Sequence, residues 1–113
     1  MLFVDNSHRV FMNSDVTAIF LDAFPRLRRG VLVGIHDITL PYDYPAAWSH
    51  RYYSEQYLLA AYLLARGDRF EIALPGTFVS DDPEMREILS PLWTKDVMKS
   101  VERHGSTFWV KMS

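Results

Sequence analysis

The 113-residue chain contains no cysteine, which excludes a disulfide framework and cysteine-ligated zinc and suits a cytoplasmic protein. Long apolar runs are also missing. The longest, Tyr57 to Ala65, falls far short of the roughly 20 residues that span a bilayer, so no membrane segment is expected. The opening Met1-Leu2-Phe3-Val4-Asp5 shows no basic region followed by a long apolar one, so no signal peptide is expected either. Charge of one sign is not in excess: 12 Lys and Arg face 14 Asp and Glu for a net charge of -2, which gives no electrostatic case for nucleic acid. Glycine is scarce. Gly30, Gly34, Gly67, Gly76 and Gly105 are scattered, no G-x-G occurs, and a ready cradle of backbone amides for a nucleotide cannot be located. No internal repeat or low-complexity stretch is present. What remains, 49% hydrophobic and 23% charged residues, fits one globular domain with a single core.

The first organised unit reads strand, helix, strand. Leu2-Phe3-Val4 is a short apolar strand that runs out at Asp5, and Val31-Leu32-Val33-Gly34-Ile35 is a second that runs out at His36-Asp37. Between them Ser14 is a plausible N-cap, and Val16, Ile19, Phe20, Ala23 and Phe24 share one helical face. Pro25 disturbs the last turn, Arg26, Arg28 and Arg29 suit the negative end of the helix dipole, and Gly30 stops the helix. A crossover of this kind lays two strands parallel in one sheet. Asp5 and His36-Asp37 then emerge together at the carboxyl edge, where open α/β sheets bind ligands. The second strand is continuously apolar, as expected of a central strand covered on both faces.

From Ile38 to Tyr53 the chain is rich in proline and aromatics, which predicts a long loop, and loops of that length over a site are often lids. Ser54 can cap a helix over Glu55 to Arg66, apolar nearly all the way round and ending at Gly67, which predicts burial on several sides. Arg69 to Leu74 reads as a strand, Pro75-Gly76 as a turn, and Asp82-Pro83 as the start of a short helix with Met85, Ile88 and Leu89 on its inner face. Thr94 to His104 follows, with Val97, Met98 and Val101 apolar, and a strand at Thr107 to Met112 pairs antiparallel with Arg69 to Leu74.

Leu2 to His8, the helix ending Pro25-Arg26-Leu27-Arg28-Arg29-Gly30, and Val33-Gly34-Ile35-His36-Asp37-Ile38 resemble the second half of class I S-adenosylmethionine-dependent methyltransferases. Leu40-Pro41-Tyr42-Asp43-Tyr44-Pro45 with Glu55-Gln56-Tyr57-Leu58-Leu59 is similar to one bacterial subgroup of them. The resemblance spans nearly the whole chain and implies a Rossmann-like α/β half-domain. Its parallel strands are Leu2-Asp5 and Val31-His36, it ends in an antiparallel strand pair, and helices cover both faces. On this reading residues 1–113 are a single domain equivalent to the family's strands four to seven, and the cofactor-binding half with its glycine-rich loop is absent. The implied chemistry is O-methylation of a small hydroxylated acceptor with S-adenosylmethionine as donor, by a chain that is truncated and inactive alone.

The resemblance also implies site residues. Asp5, His36 and Asp37 match positions that hold a divalent cation in the metal-dependent members; oxygen ligands suit magnesium, and a histidine shifts the preference toward manganese. The other reading is that Asp5 and Asp37 accept backbone hydrogen bonds at strand ends. His8, three residues after Asp5, stands where related enzymes place a general base that takes the acceptor's proton. It reads equally as a surface or packing histidine. Tyr42, Tyr44 and Trp48, with Tyr52 and Tyr53 nearby, form an aromatic cluster that could wall an acceptor pocket or pack the loop down. A reading from another class is a non-catalytic assembly module, in which the first strand's exposed edge pairs with a second copy and completes the sheet of a homo-oligomer.

Overall fold

In a computed structural model, which describes residues 1–65 and 68–113, the chain is a compact α/β domain built on a four-stranded mixed sheet. Strand β1 is Leu2–Val4, β2 is Leu32–Ile35, β3 is Phe70–Pro75 and β4 is Phe108–Met112. Their order across the sheet is β1-β2-β4-β3. β1 and β2 run parallel with Val4 opposite Ile35, β2 and β4 antiparallel with Gly34 opposite Trp109, and β3 and β4 antiparallel with a register shift between Ile72 and Leu74. The parallel pair and the antiparallel pair are those the sequence predicts, and β2 is central because β4 inserts on its far side.

The segment joining β1 to β2 starts as the sequence expects: Ser14 Oγ accepts the Thr17 N–H at 3.1 Å and opens helix α1, Asp15–Ala18. It does not continue as one α-helix. Ile19–Ala23 widens into a π-helical turn and Phe24–Arg26 tightens into a 3-10 turn. Pro25 has no N–H to extend the α ladder, and the Phe24 N–H reaches back to the Ile19 carbonyl. Phe20 and Phe24 are thereby both buried, with ring centroids 4.7 Å apart. Gly30 stops the segment at φ +81°, and its N–H donates to the Met112 carbonyl at 2.7 Å.

The core lies on one face of the sheet. Val4, Val33, Ile35, Val110 and Met112 point into it and meet Val16, Phe20, Phe24 and Leu59 from the helical segments. Burying each such side chain contributes about 1.5–3 kcal/mol. On the opposite face Gly34 is buried by the Trp109 ring, which a Cβ at position 34 would meet at 2.7 Å. Cover of β2 on that face therefore comes from its neighbouring strand, and the helix cover expected there does not reach Phe3, which is 51% exposed.

Helix α2, Glu55–Ala65, departs from expectation. It buries Glu55, Gln56 and Leu59, while Tyr57 is 51% and Leu64 88% exposed, so it is covered on one side rather than several. Ser54 Oγ accepts the Val10 N–H at 2.8 Å, tying down the β1 loop. The expected stop at Arg66-Gly67 lies outside the described residues. After β3 the predicted Pro75-Gly76 turn opens a further short helix, α3, Gly76–Asp81, pinned because Gly76 approaches the Thr107 carbonyl closely. Asp82 caps α4, Pro83–Trp93, through the Met85 N–H at 3.0 Å. Ile88, expected on its inner face, is 61% exposed, because α4 presents Met85 and Leu89 inward instead. Within Thr94 to His104 only Asp96–Met98 is helical, as one 3-10 turn.

Candidate functional site

The site begins where β1 and β2 end. The two strands are in parallel register, and the His36 N–H donates to the Val4 carbonyl at 2.9 Å, so Asp5, His36 and Asp37 leave the sheet at one edge. Asp5 Oδ1 and Asp37 Oδ1 each lie 3.5 Å from His36 Nδ1. That nitrogen is buried and has no hydrogen-bond partner among the described residues. An unsatisfied buried polar atom is costly and needs an explanation.

The chain then folds back on itself at His8, whose backbone takes φ +56°. The His8 carbonyl accepts N–H groups of Ser54 at 2.8 Å and Glu55 at 3.1 Å, which docks this turn on the start of α2. The imidazole is 4% exposed and Glu55 is fully buried, with His8 Nδ1 2.8 Å from Glu55 Oε2. Glu55 Oε1 accepts from Asn6 Nδ2 at 2.8 Å, and Asn6 Oδ1 accepts the His8 N–H at 2.8 Å. With Glu55 as acceptor, the neutral ring carries its proton on Nδ1 and a lone pair on Nε2. Nε2 faces the strand ends, 3.4 Å from Asp5 Oδ1 and 3.9 Å from Asp37 Oδ2. Burial by itself would lower the His8 pKa; the Glu55 hydrogen bond and the charges of Glu55, Asp37 and Asp5 outweigh it and raise the pKa above the ordinary histidine value.

Asp37 also sits at positive φ, +52°. Left-handed backbone at a residue other than glycine costs about 1–3 kcal/mol and persists where surrounding contacts enforce it. Here the contacts are Ser106 Oγ, which donates to Asp37 Oδ1 at 3.1 Å, and Arg51 Nη1, 3.8 Å from Oδ2. The Arg51 guanidinium in turn lies over Trp48, 4.4 Å from the ring centre, and 5.6 Å from that of Tyr53.

The aromatic cluster forms, with altered membership. Tyr44 packs against Trp48, Tyr53 and Tyr57 at centroid separations of 6.3, 5.8 and 5.6 Å. These rings line a cavity of about 270 Å³. Tyr42 does not join them; it is 42% exposed and lines a separate cavity with Thr77 and His104. Tyr52, although 78% exposed, lines the rim of the same cavity. Tyr53 is the shared wall, its ring 4.6 Å from that of His8. Burial pushes the Tyr44 hydroxyl well above the ordinary tyrosine range, so it remains protonated.

The loop over the site is held by Gln56. Its Oε1 accepts from the Thr39 N–H at 2.9 Å and the Thr39 hydroxyl at 2.8 Å, its Nε2 donates to the Tyr42 carbonyl at 3.3 Å, and its N–H donates to the Tyr44 hydroxyl at 3.0 Å. Glu55 and Gln56 are the buried site residues to which the sequence reading gave no role, and Asn6, Arg51, Tyr57 and Ser106 are partly exposed or exposed ones. At the head of an apolar run Glu55 and Gln56 look like the solvated first turn of a helix, and no local pattern marks them as buried. His50 and His104 lie elsewhere; His104 Nε2 is 3.6 Å from Asp81 at the surface.

Three of the described glycines do not fit a dinucleotide or S-adenosyl cradle. Gly34 lies beneath Trp109, Gly76 lies against the Thr107 carbonyl, and Gly30 closes a turn. Among the described residues no helix is long and apolar enough to cross a membrane. Comparison with known protein families, curated proteins and solved structures finds no match for the chain.

Proposed function

We propose that the chain carries the acceptor side of a methyltransferase-like site. A small hydroxylated molecule lies against the wall of Tyr44, Trp48 and Tyr53, and His8 Nε2 takes its hydroxyl proton as the methyl group bonds to oxygen. The observation that carries this reading is the buried His8–Glu55 pair, 2.8 Å apart, with Nε2 turned toward the edge where β1 and β2 end. Glu55 fixes the tautomer and stabilises the imidazolium formed when the proton arrives, as a carboxylate does for any histidine base. The side-by-side parallel strands and the reversed terminal pair are consistent with a Rossmann-like methyltransferase half-domain. S-adenosylmethionine is the donor implied by the resemblance; three of the described glycines do not fit it, and the proposal covers the acceptor and its proton. A divalent cation, magnesium or manganese, held by Asp5, His36 and Asp37 belongs to the same reading and fits the unpartnered His36 Nδ1. When bound, it polarises the acceptor oxygen.

The test is a calorimetric titration of S-adenosylmethionine into the chain, with and without magnesium or manganese. Saturable binding at micromolar affinity supports methyl transfer by this chain alone, and no heat in either condition overturns that; the acceptor side is read with phenol as probe, where binding by the parent that is lost in His8→Gln supports it and no binding by the parent overturns it. A second reading rests on a separate observation. Among the described residues β1 has a neighbour on one side only and carries the half-exposed Phe3, as an assembly module that pairs strand edges would. Sedimentation at micromolar concentration decides it: a dimer supports edge pairing and a monomer rejects it.

A further inference from the structure

We infer that Asp5, His8 and His36 form a nitrogen-rich site for a borderline transition-metal ion, zinc or cobalt(II) in class, and that an ion bound there occupies the lone pair His8 needs as a base. The metal site stands apart from the methyl-transfer reading; the competition for the His8 lone pair rests on that reading. The three donor atoms, one carboxylate oxygen and two imidazole nitrogens, lie within 4.8 Å of one another. Asp5 Oδ1 is 3.4 Å from His8 Nε2 and 3.5 Å from His36 Nδ1. Ligands about 2.0–2.2 Å from a tetrahedral ion are separated by roughly 3.4 Å, so these two edges already have the spacing the ion requires.

Three further features point to a metal rather than to three chance neighbours. His36 Nδ1 is buried without a partner and faces the carboxylates, as an empty ligand position would. The other nitrogen of His8 is bonded to a fully buried carboxylate, Glu55, itself held by Asn6. That outer arrangement fixes the tautomer and raises the basicity of metal-binding histidines. Three carboxylates, Asp5, Asp37 and Glu55, surround the two imidazoles, and among the described residues the one cationic side chain that reaches them is Arg51, 3.8 Å from Asp37. Two nitrogens and one oxygen select zinc, cobalt or iron over magnesium, which prefers oxygen alone. Asp5 is 61% exposed, so the site opens to solvent on that side and leaves a position for water or an acceptor oxygen.

The consequence is exclusion. A lone pair given to the ion cannot take a proton, so transition-metal occupancy and base catalysis by His8 compete for one atom. A hard cation seated on Asp5, His36 and Asp37 leaves Nε2 free and carries no such conflict.

The test is an optical titration of the 113-residue chain with cobalt(II), followed by displacement with zinc, with no methyl donor or acceptor present. One equivalent should bind with the intense visible bands of a low-coordinate nitrogen site, and millimolar magnesium should not displace it. Asp5→Asn, His8→Gln and His36→Gln should each weaken binding by tenfold or more. Glu55→Gln should weaken it roughly 10–100-fold, and where that variant fails to fold, Asn6→Ala should give a smaller loss in the same direction. Asp37→Asn removes a neighbouring charge but no ligand, so it should weaken binding less than any of the three ligand variants. Absence of saturable cobalt binding by folded protein overturns the site, as does binding unchanged in His8→Gln. A loss in Asp37→Asn as large as in His36→Gln also overturns it, in favour of the Asp5, His36, Asp37 set. Because the readout needs no turnover, failure here is separate from failure of the methyl-transfer reading.

Discussion

The two ends of α2 run opposite to hydropathy. Its first turn carries Glu55 and Gln56, both polar and both buried, while its last turn carries Leu64, apolar and 88% exposed. The difference lies in what each end meets. Glu55 finds His8 and Asn6, and Gln56 finds Thr39 and Tyr42, so their polar atoms exchange water for partners of fixed geometry. Among the described residues Leu64 meets the rim of an open groove with Leu40, Ile72 and Phe78. At the first turn of α2 burial follows polar partners, whereas Leu59 and its neighbours farther along pack into the apolar core.

That contrast can be broken most sharply at Glu55. Glu55→Ala strips a buried partner from His8 and Asn6 and should destabilise the fold by about 3–5 kcal/mol, read by urea unfolding. Gln56→Leu keeps the volume and removes the amide, which strands the buried Thr39 N–H; a loss of about 1–3 kcal/mol is expected, with increased solvent exchange at Thr39. A surface pair sharpens the comparison. The Ser7 hydroxyl, with its N–H, holds the Asp15 carboxyl below its ordinary range. The pair therefore stabilises the fold above about pH 4, where an unfolded aspartate is ionised, and the contribution fades as pH falls through the lower folded value. The stability gap between the parent and Ser7→Ala should be small, because the pair is exposed, and should close on acidification. Leu64→Ser should change stability by no more than about 0.5 kcal/mol; a larger loss would show that the exposed end of α2 is covered in solution.

Much of the frame was legible in the sequence. Continuous apolar residues at Leu2 to Val4 and Val31 to Ile35 marked a parallel pair, and Ser14 and Gly30 marked the ends of the crossover, because caps and short strands are local signals. The candidate site was half legible for the same reason: Asp5, His36 and Asp37 follow strand ends, so their meeting was implied by the crossover. The rest depends on distant partners. His8 and Glu55 are 47 positions apart, and nothing within either segment announces the other. The insertion of β4 between β2 and β3 is equally non-local, and α2 misled because apolar composition sets how much a helix could bury, not what lies beside it.

Gln56 governs the loop in a way its shape alone does not show. One end of its amide receives two hydrogens from Thr39 and the other gives one to Tyr42. Glutamate has the same outline but no hydrogen to give, and at position 56 it would turn an oxygen toward the Tyr42 carbonyl. One of the four bonds that close the loop is thus written in the identity of a single nitrogen atom, and loss of that nitrogen by slow hydrolysis would set an oxygen against the Tyr42 carbonyl without altering the length or form of the side chain.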